Sequence, residues 1–298
     1  MKLTLFAGLT LFAVGYALFW ISNQRRSSNS TTSEDPGTGI ARPSWFQAAI
    51  GFVTNFFDTL GIGSFAPTAS IFKLTRMVPD ELIPGTMNVG HTLPVVVQAF
   101  VYISIVEVEP LTLCVMITTS VLGAWLGSGV VSRLPRRPIQ FGIGMALIVA
   151  AALMTLSQLE LLPVGGQSLG LDGALLIAAA VGNFVLGALN TIGVGIYGPS
   201  MIMIALMGMN PRAAFPIMMG SCAFLMPVAS SRFVRGRKYS LRPAIGLTVG
   251  GLPAVLIAAF LVKSLPLNTL RWIVVAVALY AAVVMLASAW MERKRQAD

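Results

Sequence analysis

Long apolar runs separated by short polar breaks dominate the chain. The first run, Leu3–Ile21, has about 19 residues, enough for one helix to cross a bilayer. Six later runs have similar length, and each predicts a full membrane span: Pro84–Val106, Pro110–Ser132, Ile139–Leu159, Pro216–Ser231, Pro243–Val262 and Leu270–Trp290. The pattern predicts an all-α polytopic membrane protein.

The N-terminal segment predicts a membrane anchor over 1–21, followed by a flexible polar linker over 22–43. A cleaved signal peptide is disfavoured because no small-x-small cleavage site follows, and Arg25 and Arg26 are typical of an anchor. The linker is rich in Ser and Thr and contains Pro36, Gly37 and Gly39, a composition that cannot build a hydrophobic core.

Two regions, Trp45–Val78 and Gly173–Met209, do not fit a simple span. Each contains an apolar helix, a glycine-rich break and a second helix of about 12 residues, or about 18 Å. The hydrocarbon core is about 30 Å thick, so the second helix is too short to cross it. Each region therefore predicts a broken helix pair that either re-enters or crosses twice.

The two broken regions are copies of one unit. Asp58–Pro67 (DTLGIGSFAP) aligns with Asn190–Pro199 (NTIGVGIYGP) at an offset of 132 residues, and the same offset carries Pro79 onto Pro211. We predict two repeats over 44–160 and 161–298, each a broken helix pair plus three transmembrane helices, with the N-terminal helix as an extra element. Three spans reverse the side of the membrane, so the second repeat should be inverted.

Composition and charge agree with this topology. The chain is 56% apolar and 10% charged, with a net charge of +9. If the C-terminus is cytoplasmic, most Lys and Arg fall inside, as the positive-inside rule requires, and the outside keeps only Lys2, Arg212, Lys263 and Arg271. We expect a multi-pass protein of the plasma membrane that does not bind nucleic acid, because no basic run is interleaved with aromatics.

Inverted repeats with broken helices are the architecture of secondary transporters. Glycine permits irregular backbone at the breaks, and proline suits the first turn of the helix that follows. The free N–H groups of each helix start attract anions, and we expect the substrate near the midplane at the breaks. The predicted contacts are Thr59, Gly61, Gly63, Ser64, Asn88, Asn190, Thr191, Gly193, Gly195 and Ser221, with Pro67 and Pro199 starting the short helices.

Two ionisable residues are candidates for coupling transport to protons. Asp58 lies at the first break, and the residue aligned with it in the second repeat is Asn190, so only one of the two repeats carries a titratable side chain at this position. The alternative is that Asp58 caps the loop. His91 is the only histidine, and its alternative role is a hydrogen bond to a neighbouring helix.

Other chemistry has little support in the sequence. Cys114 and Cys222 lie in apolar runs, and a single histidine offers no metal-ligand cluster, so we expect no metal and no cofactor. An intramembrane enzyme acting on a lipid or quinone, and an anion channel, are the alternatives to a permease. The oligomeric state is left open, including a homo-oligomer.

Three segments carry a resemblance to a known family. Phe57–Pro67 (FDTLGIGSFAP), Ile83–Gly90 (IPGTMNVG) and Leu189–Pro199 (LNTIGVGIYGP) resemble the TauE/SafE sulfite-exporter family over about residues 45 to 291. Most members carry three consecutive glycines at the break, whereas this chain has GIGS and GVGI. The resemblance implies a permease for small, often sulfur-containing anions such as sulfite, thiosulfate or sulfonates.

Overall fold

The computed structural model describes residues 2–29, 43–131, 166–190, 196–264 and 266–295, with isolated residues between 141 and 159. This part of the chain is helical and contains no β-strand, apart from one isolated bridge between Ser168 and Met209. The helices are α1 (Lys2–Asn29), α2 (Trp45–Thr59), α3 (Phe65–Thr75), α4 (Ile83–Ile105), α5 (Pro110–Val131), α6 (Gly173–Asn190), α7 (Tyr197–Leu206), α8 (Ala214–Arg235), α9 (Leu241–Ser264) and α10 (Leu267–Arg295). Short 3-10 turns, Asp80–Leu82 and Pro211–Ala213, precede α4 and α8.

Five helical stretches in the described residues are long and apolar enough to cross a membrane. They are Leu3–Gln24, Ile83–Ile105, Gly173–Asn190, Pro211–Arg235 and Leu241–Leu261. The prediction of an all-helical membrane protein is confirmed. The Gly173–Asn190 helix, predicted as the first half of a broken pair, is by itself long enough to span. Within the predicted span Ile139–Leu159, the described residues from 141 to 158 are helical.

The predicted start of the polar linker at Ser22 is wrong, because α1 continues to Asn29. Polar side chains in the last part of α1 are held by the rest of the protein. Asn23 donates to the carbonyl of Val234 at 3.1 Å, and Gln24 donates to the hydroxyl of Tyr239. These tertiary contacts extend the helix beyond its apolar run. Residues 30 to 42 lie outside the described part of the chain.

The chain forms two compact units, each built from two separate stretches of the sequence. Unit 1 comprises Met1–Val101 and Cys222–Ala259, and unit 2 comprises Tyr102–Ser221 and Phe260–Asp298. Each unit therefore takes helices from both halves of the sequence. Unit 1 contains α1 to α3, most of α4 and α9, and the second half of α8. Unit 2 contains α5 to α7 and α10.

Helix α1 is a structural part of unit 1. Its outward residues Leu3 and Leu11 are exposed, as expected of a face that meets lipid. Its inward side buries Tyr16 and Trp20. The Tyr16 hydroxyl donates to the carbonyl of Val89 at 3.3 Å, and the Trp20 indole N–H donates to the Tyr239 hydroxyl at 3.0 Å. The helix thus docks through aromatic side chains whose polar ends have partners.

In unit 1, glycines allow close contact between α2 and α9. A Cβ placed on Gly51 would lie 2.6 Å from the Cα and the carbonyl oxygen of Leu247, and one on Gly250 would collide with the carbonyl oxygen of Ala48. Helix α2 begins with a capping box in which Ser44 and Gln47 satisfy each other's backbone N–H groups. Small residues at helix contacts are the usual device of membrane proteins, because burial from water does not drive association there.

In unit 2, the same kind of contact joins α5 and α6. A Cβ on Gly187 would collide with the carbonyl oxygen of Ser120, and one on Gly123 with that of Phe184. One polar side chain reinforces the pair, since the Asn183 amide donates to the carbonyl of Met116 at 2.6 Å. Close backbone contact and this hydrogen bond together hold α5 and α6 in one relative position.

Candidate functional site

The first break lies in unit 1, between the end of α2 at Thr59 and the start of α3 at Phe65. Gly61 and Gly63 have φ of 92° and 90°, a left-handed conformation that side-chain-bearing residues rarely adopt. Pro67 is the third residue of α3, where its missing N–H has no helical partner to lose. Glycine is thus required at both positions by the path of the backbone.

His91 on α4 joins the two sides of this break. Its ring is fully buried, with Nδ1 3.1 Å from Oδ1 of Asn55 on α2 and Nε2 3.1 Å from the hydroxyl of Thr68 on α3. The Asn55 amide nitrogen donates to the carbonyl of Gly51 at 2.8 Å, which leaves Oδ1 for the imidazole. In the neutral ring, Nδ1–H therefore donates to Asn55 and the Thr68 hydroxyl donates to Nε2.

Asp58 and Thr59, at the end of α2, are held by Gln98 from α4. The Gln98 side-chain nitrogen donates to Oδ2 of Asp58 at 2.9 Å and to the Thr59 hydroxyl at 3.0 Å. Thr59 in turn donates to the backbone carbonyl of Asn55 at 2.7 Å. Because Asn55 also binds His91, both ionisable candidates belong to one buried network. We call it the α4 network: Asn55, Asp58, Thr59, Thr68, His91 and Gln98.

Three members of the α4 network were missed by sequence reasoning: Asn55, Thr68 and Gln98. Each is a polar residue inside a predicted apolar helix and is fully buried. Their spacing was available as a signal. Gln98 follows His91 by two helical turns on the same face of α4, and Asn55 precedes Thr59 by one turn on α2.

Pro94 interrupts the backbone hydrogen bonding of α4 close to the α4 network. Pro94 has no N–H, so the carbonyl of Gly90 loses its usual partner four residues on. The hydroxyl of Thr248 on α9 donates to that carbonyl at 2.8 Å. A Cβ on Gly90 would lie 2.7 Å from the Cβ of Leu247, so α4 and α9 are as close here as glycine permits.

The remaining predicted residues are scattered. Ser64 is buried in the first break, whereas the Asn88 amide donates to the carbonyl of Pro84 within α4. Asn190 ends α6, and Pro199 is the third residue of α7. Ser221 on α8 is fully buried. Thr191, Gly193 and Gly195 lie outside the described residues.

No group of three or more metal-ligating side chains occurs in the part of the chain that the structure describes. Both cysteines are free thiols. The α4 network offers one carboxylate, one imidazole and several neutral donors and acceptors. Such a set can bind and release a proton or a small polar solute.

A family model for the sulfite exporter TauE/SafE matches residues 2–154. This segment is just over half of the chain and contains the first break and the whole α4 network. The chain belongs to the TauE/SafE family. The resemblance found in the sequence is thereby confirmed, and the match also takes in α1, which lay outside the resembling region. No curated protein and no solved structure matches the chain.

Membership in the TauE/SafE family and the apolar helices together indicate a multi-pass membrane transport protein. The buried polar side chains are consistent with this class. A membrane protein keeps polar groups at depth where they pair with one another or serve a passing solute.

Proposed function

We propose that this TauE/SafE protein is a secondary permease that moves a small anion, sulfur-containing such as sulfite, thiosulfate or a sulfonate, by alternating access. The observation that carries the proposal is a buried polar network built around a glycine-made helix break, in a chain whose family is that of a sulfite exporter. Irregular backbone at membrane depth is tolerated where it lines a cavity or is buried in protein. Membership in this family suggests that the polar network at the break is a transport site.

We assign the anion to the backbone and hydroxyl groups around the breaks, as the sequence predicted. The N-terminal turns of α3 and α7 supply N–H groups without helical partners, which attract negative charge. No full positive charge is needed for weak binding that must be reversed on the other side. The substrate-binding residues we propose are the ones predicted from the sequence. Those that the structure describes are buried or half-buried.

We assign coupling to Asp58, with His91 as its neighbour in the network. Asp58 is 2% exposed, and its carboxylate accepts a hydrogen bond from Gln98. A buried carboxylate near an anion repels it, and binding of a proton removes the repulsion. Proton binding and anion binding at this break would then favour each other, which is the linkage that coupled transport requires.

We further propose that the two halves are inverted repeats in the plasma membrane, with the C-terminus in the cytoplasm. The distribution of Lys and Arg supports this orientation. Helix packing supports the repeat. The contact between Gly51 and Leu247 in unit 1 and that between Asn183 and Met116 in unit 2 are related by the sequence offset, to within one residue. Two helix contacts at corresponding positions of the two halves are what a duplicated unit would produce.

The test is flux of sulfur-35-labelled sulfite into proteoliposomes, with and without an imposed pH gradient. We expect flux that responds to the gradient and a loss of that response in Asp58→Asn. The amide keeps an oxygen for Gln98 and removes only the charge. Glu107→Gln is the matched control, since Glu107 is an exposed carboxylate in the connection between α4 and α5. It should leave the response unchanged.

Other outcomes separate the parts of the proposal. Flux with an unaltered response in Asp58→Asn would refute coupling through that carboxylate and keep the permease. Absence of flux for sulfite, thiosulfate, sulfonates and carboxylates would refute the permease. Turnover of a lipid by the purified protein, or single-channel currents, would replace it with the enzyme or the channel.

A further inference from the structure

The connection between α8 and α9, in unit 1, carries a dense group of positive charges. Residues 232–242 contain five basic side chains and no acidic one. All five are exposed, and we call them the basic surface: Arg232, Arg235, Arg237, Lys238 and Arg242. Asp80 and Glu81 lie in the turn before α4, which is also at this end of unit 1. Two carboxyl groups leave the five basic side chains in excess.

The basic surface lies where the membrane meets water. The stretches Pro211–Arg235 and Leu241–Leu261 are each long and apolar enough to cross a membrane, and only residues 236–240 separate them. Five residues of chain cannot carry the charges far from the bilayer. Trp20 and Tyr239, which are hydrogen-bonded to each other beside this connection, are residue types enriched at the membrane boundary. The basic side chains are therefore held at the level of lipid headgroups.

The connection is fixed to the helices beside it. The N–H of Ser240 donates to the hydroxyl of Thr86 on α4 at 2.9 Å. A Cβ placed on Gly85 would collide with the carbonyl oxygen of Lys238, so the connection lies directly on the start of α4. The hydroxyl of Tyr239 accepts hydrogen bonds from α1. A ligand that binds this surface has little backbone to order, which lowers the entropic cost of binding.

One arginine of the basic surface is oriented by an aromatic ring. The guanidinium carbon of Arg235 lies 5.3 Å from the centre of the Phe19 ring on α1. The N–H donors of a guanidinium lie in its plane, so stacking on a ring leaves the fork of donors on its edge directed away from that ring. Such a fork binds two oxygens of a phosphate group at once.

A second arginine has a backbone conformation that favours glycine. At the end of α8 the N–H of Arg237 donates to the carbonyl of Val234 at 3.2 Å, and that of Lys238 donates to the carbonyl of Phe233 at 3.0 Å. These two bonds form a Schellman cap, whose left-handed position is usually glycine. Here that position is Arg237, with φ of 52°. A strained residue with an exposed charge indicates a use for that charge.

The end of α3 repeats this feature, and α7 provides an internal comparison. The left-handed residue after α3 is Arg76, with φ of 50°, and the residue 132 positions later, after α7, is Gly208, with φ of 84°. Arg76 is exposed, and residues 76–82 lead from it to the start of α4. Among the described residues, the two that carry a side chain at positive φ are thus both arginines at this end of unit 1.

We propose that the basic surface is a binding site for the headgroup of an anionic phospholipid, with Arg235, Arg237 and Lys238 contacting its phosphate oxygens. A lipid is the partner that the position selects, because its phosphate lies at the depth of the connection and its acyl chains can run beside α8 and α9 in the bilayer. The headgroup would hold the ends of α1, α4 and α8 together. The site is separate from the break and does not depend on which solute the protein moves.

The experiment titrates the full chain in neutral detergent with short-chain phosphatidylglycerol and follows the melting temperature. Phosphatidylcholine of the same chain length is the reference lipid. We expect phosphatidylglycerol to raise the melting temperature with an apparent Kd about tenfold lower or more, and added salt to reduce this preference. Arg235→Gln, Arg237→Gln and Lys238→Gln should each weaken binding of phosphatidylglycerol about fivefold. The triple variant should bind the two lipids equally.

Arg237→Gly separates lipid binding from folding. Glycine is unstrained at positive φ, so without lipid this variant should melt at the same temperature as the wild type or higher. Its affinity for phosphatidylglycerol should nevertheless fall as far as that of Arg237→Gln. Lys263→Gln is the matched control, since it removes one positive charge at the opposite end of α9 and should leave the lipid preference unchanged.

Three results would overturn the proposal. The first is equal stabilisation of the wild type by phosphatidylglycerol and phosphatidylcholine. The second is a loss of preference in Lys263→Gln within about twofold of that in Arg237→Gln, since net charge would then explain the effect. The third is the same stabilisation by inorganic phosphate at equal concentration, which would make the surface a site for a soluble anion. None of these measurements requires flux, so the proposed permease is tested separately.

Discussion

Replacing Thr248 by valine tests whether its hydroxyl compensates for the backbone hydrogen bond that Pro94 removes from α4. The substitution keeps the shape of the side chain and removes the hydroxyl that donates to the carbonyl of Gly90. Because Pro94 supplies no N–H, that carbonyl is then left with no donor from its own helix. Hydrogen bonds between transmembrane helices average about 0.6 kcal/mol and reach about 1.7. A buried carbonyl left without a partner belongs at the upper end, so we expect a loss of about 1–2 kcal/mol.

The assay is a double-mutant cycle on the free energy of unfolding, measured with denaturant in detergent micelles. Pro94→Ala restores an N–H at position 94 and gives the Gly90 carbonyl a partner of its own. Thr248→Val should then cost close to nothing in the Pro94→Ala background, and the cycle should show a coupling of about 1 kcal/mol or more. The cycle cancels the contact that Pro94 itself loses with Gly251.

Thr54→Val is the matched control for this cycle. Thr54 is as deeply buried as the network, but its hydroxyl donates only to the carbonyl of Ile50 in its own helix. Removing the Thr54 hydroxyl should lower the free energy of unfolding by a few tenths of a kcal/mol, and this effect should be the same with and without Pro94→Ala. The reasoning is refuted if Thr248→Val costs the same with and without Pro94, because the proline would then not be the reason for the bond.

Two further predictions concern the break and the docking of α1. Gly61→Ala and Gly63→Ala should each lower the free energy of unfolding by about 1–2 kcal/mol and reduce flux, since alanine is strained at φ near 90°; Gly15→Ala, in open space on α1, should not, and equal stability of all three variants would contradict the strain argument. Burial raises the pKa of Tyr239, so the neutral phenol contributes stability that is present below its ordinary pKa of about 10 and declines as the pH rises past it. Tyr239→Phe should remove this part of the loss of thermal stability at alkaline pH, and it also removes the acceptor of the hydrogen bonds from Trp20 and Gln24. A melting temperature with the same pH dependence in the variant and the wild type would contradict this assignment.

Much of the fold follows from local pattern. A run of about 20 apolar residues must be helical in a bilayer because every backbone N–H and C=O needs a partner within the segment. Gly61 and Gly63 marked the first break because glycine alone adopts that backbone readily, and Pro67 marked the start of α3. The end of α1 was misplaced because the bonds of Asn23 and Gln24 to distant residues extend the helix, and apolar content does not record them.

Partners of single side chains were harder to foresee. Asp58 and His91 stood out in the sequence as ionisable residues in apolar surroundings. Their partners Asn55, Thr68 and Gln98 are common residue types that become important only when three helices meet.

The sequence by itself determined that the chain spans a membrane, where the break between α2 and α3 lies, and to which family the chain belongs. These properties depend on composition, on the special backbone of glycine and proline, and on residue spacing. Tertiary structure alone decided that each unit takes helices from both halves of the chain, that His91 joins α2 to α3, and which hydroxyls have partners. The reason is physical: a hydrogen bond between helices depends on two distant segments meeting at one height and angle, and neither segment carries that information alone.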